Sequence, residues 1–268
     1  MSHHHHQDPH NHSSEHKHDY VKSNAEHFDK EAKNQEMVKV GTELAQLSAP
    51  YILKHYKFDK ETTEVLDFAS GWGTSSIMAL QGPNSSDSGR PGLVSQQIIP
   101  YAKSILGVDV SQGMVDLYNE TGEKEGFSGM KAVRAELKGE DGELDGQKFD
   151  VIIVSIAPSE MCAADSHSRC QQCNMAYHHF EDVGKMTKIL AEFLKPGGKL
   201  IVSDFRASSE EVRKDFAHVI AHVHGMSEDI MRDAFAGAGL ADIAVEDAFD
   251  YTMRERVLHI FFVVGSKA

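Results

Sequence analysis

The stretch Val65-Leu66-Asp67-Phe68-Ala69-Ser70-Gly71-Trp72-Gly73-Thr74 decides how the chain folds. An apolar run of strand length carries one acidic residue and ends in a Gly-x-Gly turn. Helical sequence begins near Thr74. Two glycines one residue apart let a backbone turn pass close to a ligand, because neither carries a Cβ. The amide groups at the start of the following helix point to the same place and suit a negative group. In an open α/β sheet, ligands bind beyond the carboxyl ends of the strands, where the strand order reverses.

Working outward, strands and helices alternate. Glu64 to Phe68 reads as a strand and Thr74 to Leu80 starts a helix, which the Gly/Ser/Pro loop Gly82 to Gly92 interrupts. Helical residues resume to about Lys103, and Ile105 to Asp109 reads as a strand. Met114 to Glu125 is helical and Lys131 to Ala135 is a strand. Val151 to Ile156 is an apolar, β-branched run, as expected of a strand buried on both faces. Val183 to Leu194 is helical until Pro196-Gly197-Gly198 stops it, and Lys199 to Asp204 is another strand. Glu210 to His222 and Glu228 to Ala238 read as helices, Ile243 to Glu246 and Val257 to Val264 as closing strands. The pattern predicts an α/β fold: a Rossmann-like, doubly wound, mostly parallel seven-stranded sheet with helices on both faces.

Upstream, Ala25, Phe28 and Ala32, then Val40, Leu44, Leu47 and Ile52, recur at three- and four-residue spacings. They predict two amphipathic N-terminal helices within residues 19–60. The first 18 residues hold eight of the 17 histidines among polar residues. Such a tract cannot bury enough apolar surface to fold alone and is expected to be a disordered tail. It could bind divalent metal weakly, as His-rich tracts do, but it is not read as a catalytic metal site. Residues 19–268 are then expected to form one domain.

With 268 residues, 40% of them hydrophobic, the chain is long enough to bury a sizeable core. No stretch approaches the roughly 20 apolar residues that span a bilayer, so no membrane association is expected. The polar N-terminus resembles neither a secretory signal nor a transit peptide. Three cysteines make no disulfide framework, which favours a reducing, cytoplasmic location. The balance of 27 basic and 41 acidic residues gives a net charge of −14, a surface that repels nucleic-acid phosphates. Nucleic acid is therefore not expected as a partner; oligomeric state is left open.

Two cofactor classes suit the glycine turn. Nicotinamide enzymes use G-x-G-x-x-G, but Ser76 stands at the third glycine position. No G-x-x-x-x-G-K-[ST] loop is present either. The second strand ends in Gly107-Val108-Asp109, whose carboxylate sits where a ribose diol can donate hydrogen bonds.

Taken in order, these segments resemble the class I S-adenosylmethionine-dependent methyltransferases, of the small-molecule, quinone-biosynthesis-like type (type 11). Val65 to Gly73 is similar to the family's first motif, Leu106 to Met114 to the second, Val133-Arg134-Ala135-Glu136-Leu137 to the third, and Phe149 to Ile156 to the fourth strand. Leu194 to Asp204, with its Lys-Pro-Gly-Gly, resembles the fifth-strand motif. Tyr177-His178-His179-Phe180-Glu181-Asp182 is similar to the family's His-His segment. The resemblance implies S-adenosylmethionine as cofactor. It implies that Asp67, Ala69, Ser70, Gly71, Trp72 and Gly73 hold the methionine end, with Asp67 near the ammonium. Asp109 and Val110 would meet the ribose, Met114 the adenine, and Glu136 and Leu137 the adenine amino group. Ser155 would line the cofactor pocket. The implied reaction is methyl transfer to a nucleophilic O, N, S or C atom of a small-molecule acceptor by direct displacement.

His178 and His179 are the candidates for a general base or for orienting the acceptor, since imidazole titrates near neutral pH. The same pair could instead pack against or cap the following helix. His222 and His224 fall in a helix-end segment, where a structural role is the simpler reading. Tyr20 and Trp72 could cover the acceptor or the cofactor. The chain departs from its relatives in residues 158–174, which carry Cys162, Cys170 and Cys173 with His167 between them. Three readings stay open: a structural zinc site, thiol-based acceptor chemistry, or an ordinary insertion that lids the acceptor pocket. No metal is assigned. A non-catalytic protein that binds the cofactor and acts through a partner is the alternative function.

Overall fold

The computed structural model of the chain describes residues 35–69, 92–155, 177, 180, 182–206, 226–253 and 256–268. Its described elements are α1 (Gln35–His55), β1 (Glu64–Phe68), α2 (Leu93–Ile98), β2 (Ser104–Asp109), α3 (Gln112–Lys124), β3 (Met130–Arg134), β4 (Phe149–Val154), α4 (Val183–Glu192), β5 (Leu194–Arg206), α5 (Glu228–Gly237), β6 (Leu240–Met253) and β7 (Arg256–Lys267). The strands form a seven-stranded sheet in the order β3-β2-β1-β4-β5-β7-β6. β1 pairs in parallel with β2 and β4, β2 with β3, and β4 with β5. β7 runs antiparallel to β5, and β6 antiparallel to β7. This is the mostly parallel, doubly wound sheet that the alternating sequence predicts. The strand order reverses between β1 and β4, so the carboxyl ends of those strands open the crevice in which ligands of such sheets bind.

Alternate residues of each central strand feed two cores. Val65, Ile105, Val151, Ile153 and Ile201 pack with Leu44 and Ile52 of α1, Ile98 of α2 and Val115 of α3. Leu66, Val108, Ile152, Val154 and Val202 pack on the other face with Leu190 of α4 and Met231 and Phe235 of α5. Val151, Ile152 and Val154 are fully buried. Each such side chain contributes roughly 1.5–3 kcal/mol relative to an exposed one. That explains why β4 reads as a continuous apolar run rather than an alternating one.

α1 packs across β6 and β7: the Tyr51 ring stacks on Phe262 at 5.3 Å, and its hydroxyl donates to the Ala248 carbonyl. Its buried stripe is Val40, Leu44, Ala45, Ser48, Ala49 and Ile52, and Leu47, expected in that stripe, lies at its margin and is 42% exposed. The other predicted N-terminal helix, the helices predicted at 74–80 and 210–222, the histidine-rich tail and residues 158–174 lie outside the described residues.

Other boundaries shift for local reasons. The helix expected to reach Lys103 ends at Ile98, followed by a single 3₁₀ turn, Ile99–Tyr101. Pro100 supplies no amide hydrogen, so the α-helical ladder loses a donor there; Ile99 stays helical and the chain becomes extended at Ala102. α4 ends at Glu192, before the Pro-Gly-Gly, and β5 already starts at Leu194, paired with Phe149. The register shifts between Phe149 and Val151, so Pro196-Gly197-Gly198 lies inside the strand rather than at a helix end. Gly197 has φ +77°, and a Cβ on Gly198 would lie 2.9 Å from the Lys195 carbonyl oxygen and 3.0 Å from that of Asp150. Gly198→Ala is therefore expected to destabilise the protein by roughly 1–3 kcal/mol, because the obstructing atoms are backbone. Thermal unfolding of the variant measures this, and an unchanged melting temperature would mean that the ladder gives way at no cost. β6 and β7 run longer than their apolar centres suggest, because the ladder between them extends from Leu240↔Lys267 to Met253↔Arg256.

At the amino edge of the sheet, Lys195 Nζ donates to Glu64 Oε2 (2.9 Å) and Asp150 Oδ2 (2.8 Å), tying together the starts of β1, β4 and β5. The opposite, carboxyl edge carries the candidate site. Among the described residues no helix is long and apolar enough to cross a membrane.

Candidate active site

β1 delivers Asp67 to the carboxyl half of the sheet, with Gly107 of β2 and Ile153 of β4 as its strand neighbours. Its side chain shares a face with Val65 and is 4% exposed. The Ser95 hydroxyl of α2 donates to Asp67 Oδ2 at 2.6 Å. Burial raises the Asp67 carboxyl from its ordinary range to about 7; the Ser95 hydrogen bond works against that rise and the nearby Asp109 charge adds to it. In the ligand-free protein this carboxylate thus titrates near neutrality, and a cation beside it would favour the ionised form.

The chain leaves β1 through Ala69, which has φ +69°, a left-handed conformation uncommon for a residue with a Cβ. The Ala69 amide donates to the Val108 carbonyl at 2.7 Å, so the exit from β1 is pinned to β2. Backbone held this way costs about 1–2 kcal/mol and is concentrated at ligand-binding turns. Ser70, Gly71, Trp72 and Gly73 lie outside the described residues.

β2 ends at Asp109, 3% exposed. The Ser111 amide donates to its Oδ1 at 2.8 Å, and the Ala135 amide donates to its main-chain carbonyl at 3.0 Å. Ser111 also caps α3, its hydroxyl accepting from the Met114 amide. One short turn therefore fixes the Asp109 carboxylate and starts a helix. Met114 is 1% exposed beneath that turn. Val110 is half-buried, and its carbonyl accepts from Arg134 Nε at 2.9 Å.

Beyond β3, Leu137 is buried in the core of the second face. Glu136 is exposed, its carboxylate 3.5 Å from Lys138 Nζ. Just past β4, Ser155 presents a buried Oγ with no hydrogen-bond partner among the described residues. Leaving a buried hydroxyl unmet costs on the order of 1–3 kcal/mol, so this group suits a polar ligand atom. Tyr177 and Phe180 flank the His-His pair; Tyr177 is fully buried and packs edge-on to Phe180 at 5.6 Å. Tyr20, His178, His179, His222 and His224 lie outside the described residues, as do all three cysteines and His167. Among the described residues no group of three or more His, Cys, Asp or Glu side chains is arranged to hold a metal ion.

Asp67 and Asp109 are thus brought together on one face at the carboxyl ends of adjacent parallel strands. Two neighbours in this cluster escape sequence reading: Ser95, and Tyr118 of α3. The Tyr118 ring is 1% exposed and lies directly beneath Gly92, where a Cβ would stand 2.3 Å from its Cε2. Gly92 has φ +65°, so two constraints favour glycine there. Burial and the Asp67 charge hold the Tyr118 phenol well above its ordinary pKa, so it stays neutral. The only sequence sign of these contacts is a serine beside Val94 on the apolar stripe of a short helix.

The chain matches a family model described as a methyltransferase domain over residues 59–256. An uncharacterized methyltransferase of Schizosaccharomyces pombe is 31% identical over 167 residues, which cover 58% of this chain. The match covers 51% of that relative, so the chain spans about half the length of the curated relative it matches. Among solved structures, the YcgJ protein of Bacillus subtilis superposes with a TM-score of 0.52 at 16% identity, over 82% of this chain and 97% of that one. Magnesium protoporphyrin IX methyltransferase of Synechocystis, solved with bound SAH, gives a TM-score of 0.55 at 14% identity, over 91% and 94%. Identities this low speak for the fold alone.

Proposed function

The chain belongs to the methyltransferase-domain family, and on that premise we propose that it moves a methyl group from S-adenosylmethionine to a nucleophilic atom of a small-molecule acceptor. The observation that carries this reading is the pair of buried carboxylates, Asp67 and Asp109, at the ends of the first two parallel strands. When bound, the donor supplies a methyl group on a positively charged sulfur, together with an ammonium, a carboxylate and a ribose diol. The residues present fit those groups. Asp109 is a fixed acceptor for the diol. Asp67, near neutrality when alone, becomes anionic beside an ammonium. The Ser155 Oγ, which has no partner among the described residues, suits a polar atom of the same ligand. Met114 and Leu137 are proposed to lie beside the adenine, and Glu136 or the backbone beside it is assigned to the adenine amino group. Ala69, with Ser70, Gly71, Trp72 and Gly73, is proposed for the methionine end, and Val110 with Asp109 for the ribose.

The protein's contribution to the transfer is chiefly alignment of the two reactants, worth up to about 7–11 kcal/mol. A general base adds roughly 10²–10⁴-fold only where the acceptor must lose a proton. His178 and His179 are proposed for that role or for orienting the acceptor, and Tyr20 for covering it. The surplus of acidic over basic residues favours a small acceptor over nucleic acid.

Calorimetric titration with S-adenosylmethionine and with S-adenosylhomocysteine, followed by a screen of phenols, quinone precursors, amines and thiols on the same sample, tests the reading. One-to-one binding of both nucleosides and turnover of at least one acceptor are expected. Failure of both nucleosides to bind at millimolar concentration would overturn it.

A further inference from the structure

Asp67 is held by a residue that comes from a different part of the chain. Ser95 is 28 positions away, on the short helix that follows residues 70–91, and the 2.6 Å bond between them ties the exit of β1 to the start of that helix. Both side chains are buried, at 4% and 1% exposure, so neither has bulk water as a competing partner. A hydroxyl has one proton to donate. Given to Oδ2 it stabilises the ionised carboxylate and sets the plane in which the second oxygen lies. The helix can approach this closely because Gly92 starts it in a left-handed conformation over the Tyr118 ring.

We propose that Ser95 is a positioning residue: through Asp67 Oδ2 it orients the carboxylate that receives the ammonium of the methyl donor's amino-acid end, leaving Oδ1 for the ligand. The proposal rests on the function proposed above and extends it to a residue outside the glycine turn. The other groups facing Asp67 do not replace this hydroxyl. Asp109 on β2 is a like charge, and the Tyr118 phenol on α3, which lies near Ser95 as well as Asp67, has no hydrogen-bond partner among the described residues. Gly107 and Ile153, its neighbours on β2 and β4, carry no polar side chain.

Loss of the Ser95 proton leaves Asp67 more firmly protonated at neutral pH and free to rotate. The penalty then falls only on ligands that carry the ammonium. Calorimetry with two probes separates this from simple damage to the fold: S-adenosylhomocysteine, and 5′-methylthioadenosine, which keeps the nucleoside and lacks the amino acid. Ser95→Ala is expected to weaken S-adenosylhomocysteine by about tenfold to a hundredfold, the worth of a hydrogen bond to a charged group. Affinity for methylthioadenosine should be unchanged. The loss should be larger at pH 6 than at pH 8.5, Ser95→Thr should recover most of it, and Ser95→Ala should add nothing in an Asp67→Asn background. Equal weakening of both probes, or no weakening of either, overturns the assignment of Ser95. Failure of the unaltered protein to bind S-adenosylhomocysteine would instead strike at the proposed function itself.

Discussion

Asp67→Asn is expected to make the ligand-free protein more stable at neutral pH while removing most of its affinity for the methyl donor. The folded protein holds this carboxyl at about 7, against 3.8 for the ordinary group. Between those values the folded state keeps a proton that the unfolded chain has released. Stability contributed by the protonated group is therefore full below about pH 4, declines as pH rises, and is exhausted above about pH 7. At roughly 1.4 kcal/mol per pH unit, the whole interval amounts to something on the order of 4 kcal/mol. An amide has no charge to bury and retains an oxygen for the Ser95 hydroxyl. The melting temperatures of parent and variant should nearly coincide at pH 4.5 and separate by roughly 10 °C at pH 8, with the variant higher. The same substitution removes the negative charge facing the donor's ammonium, and S-adenosylhomocysteine should bind at least about a hundredfold more weakly. Such opposition between stability and ligand affinity is characteristic of groups kept for binding rather than for folding. Parallel melting curves across that pH range would show that burial does not hold the Asp67 carboxyl above its ordinary range.

Asp109→Ala should abolish binding of both nucleosides while the fold survives. The carboxylate is 3% exposed and already fixed by the Ser111 amide, so a diol would meet a preorganised anion. Two charge-assisted hydrogen bonds lost together are worth about 3–6 kcal/mol, or more than a hundredfold in affinity. Asp109→Asn should fall between the parent and the alanine variant. Removing Asp109 also takes away the like charge that raises Asp67, so the pH dependence of stability should move toward lower pH in this variant. Calorimetry reads the first effect and melting curves across pH read the second. Undiminished affinity for S-adenosylhomocysteine would remove Asp109 from the ribose site.

The fold was legible in the sequence wherever burial is two-sided or a cap is local. Val151 to Val154 read as a strand because helices cover both faces of β4. Gly107-Val108-Asp109 and the serine after it read as a strand end and a helix start because Ser111 caps its own helix through Met114. The Pro-Gly-Gly bulge was not legible, since its strand pairing depends on Phe149, more than 40 positions earlier. β6 looked short because acidic residues interrupt its apolar pattern on both sides of Ile243 to Val245, although Leu240 is buried and Phe249 and Tyr251 pack against the core. Leu47 looked like core because a helical period alone does not say how wide the covered stripe is. At the site, the strand-end positions of Asp67 and Asp109 could be read directly. Their burial, their mutual repulsion and the contact with Ser95 could not, because they arise only when α2 and α3 close over the sheet. Glu136 shows the reverse: a carboxylate in the expected segment whose described neighbour is the exposed Lys138.

The decisive measurement is a crystal structure of the protein saturated with S-adenosylhomocysteine. Density for the nucleoside at the carboxyl ends of β1 and β2, with the ribose hydroxyls within hydrogen-bond reach of Asp109 and the ammonium beside Asp67, is the result expected. Density for the nucleoside elsewhere on the molecule, or none at a saturating concentration, would refute the placement of the site.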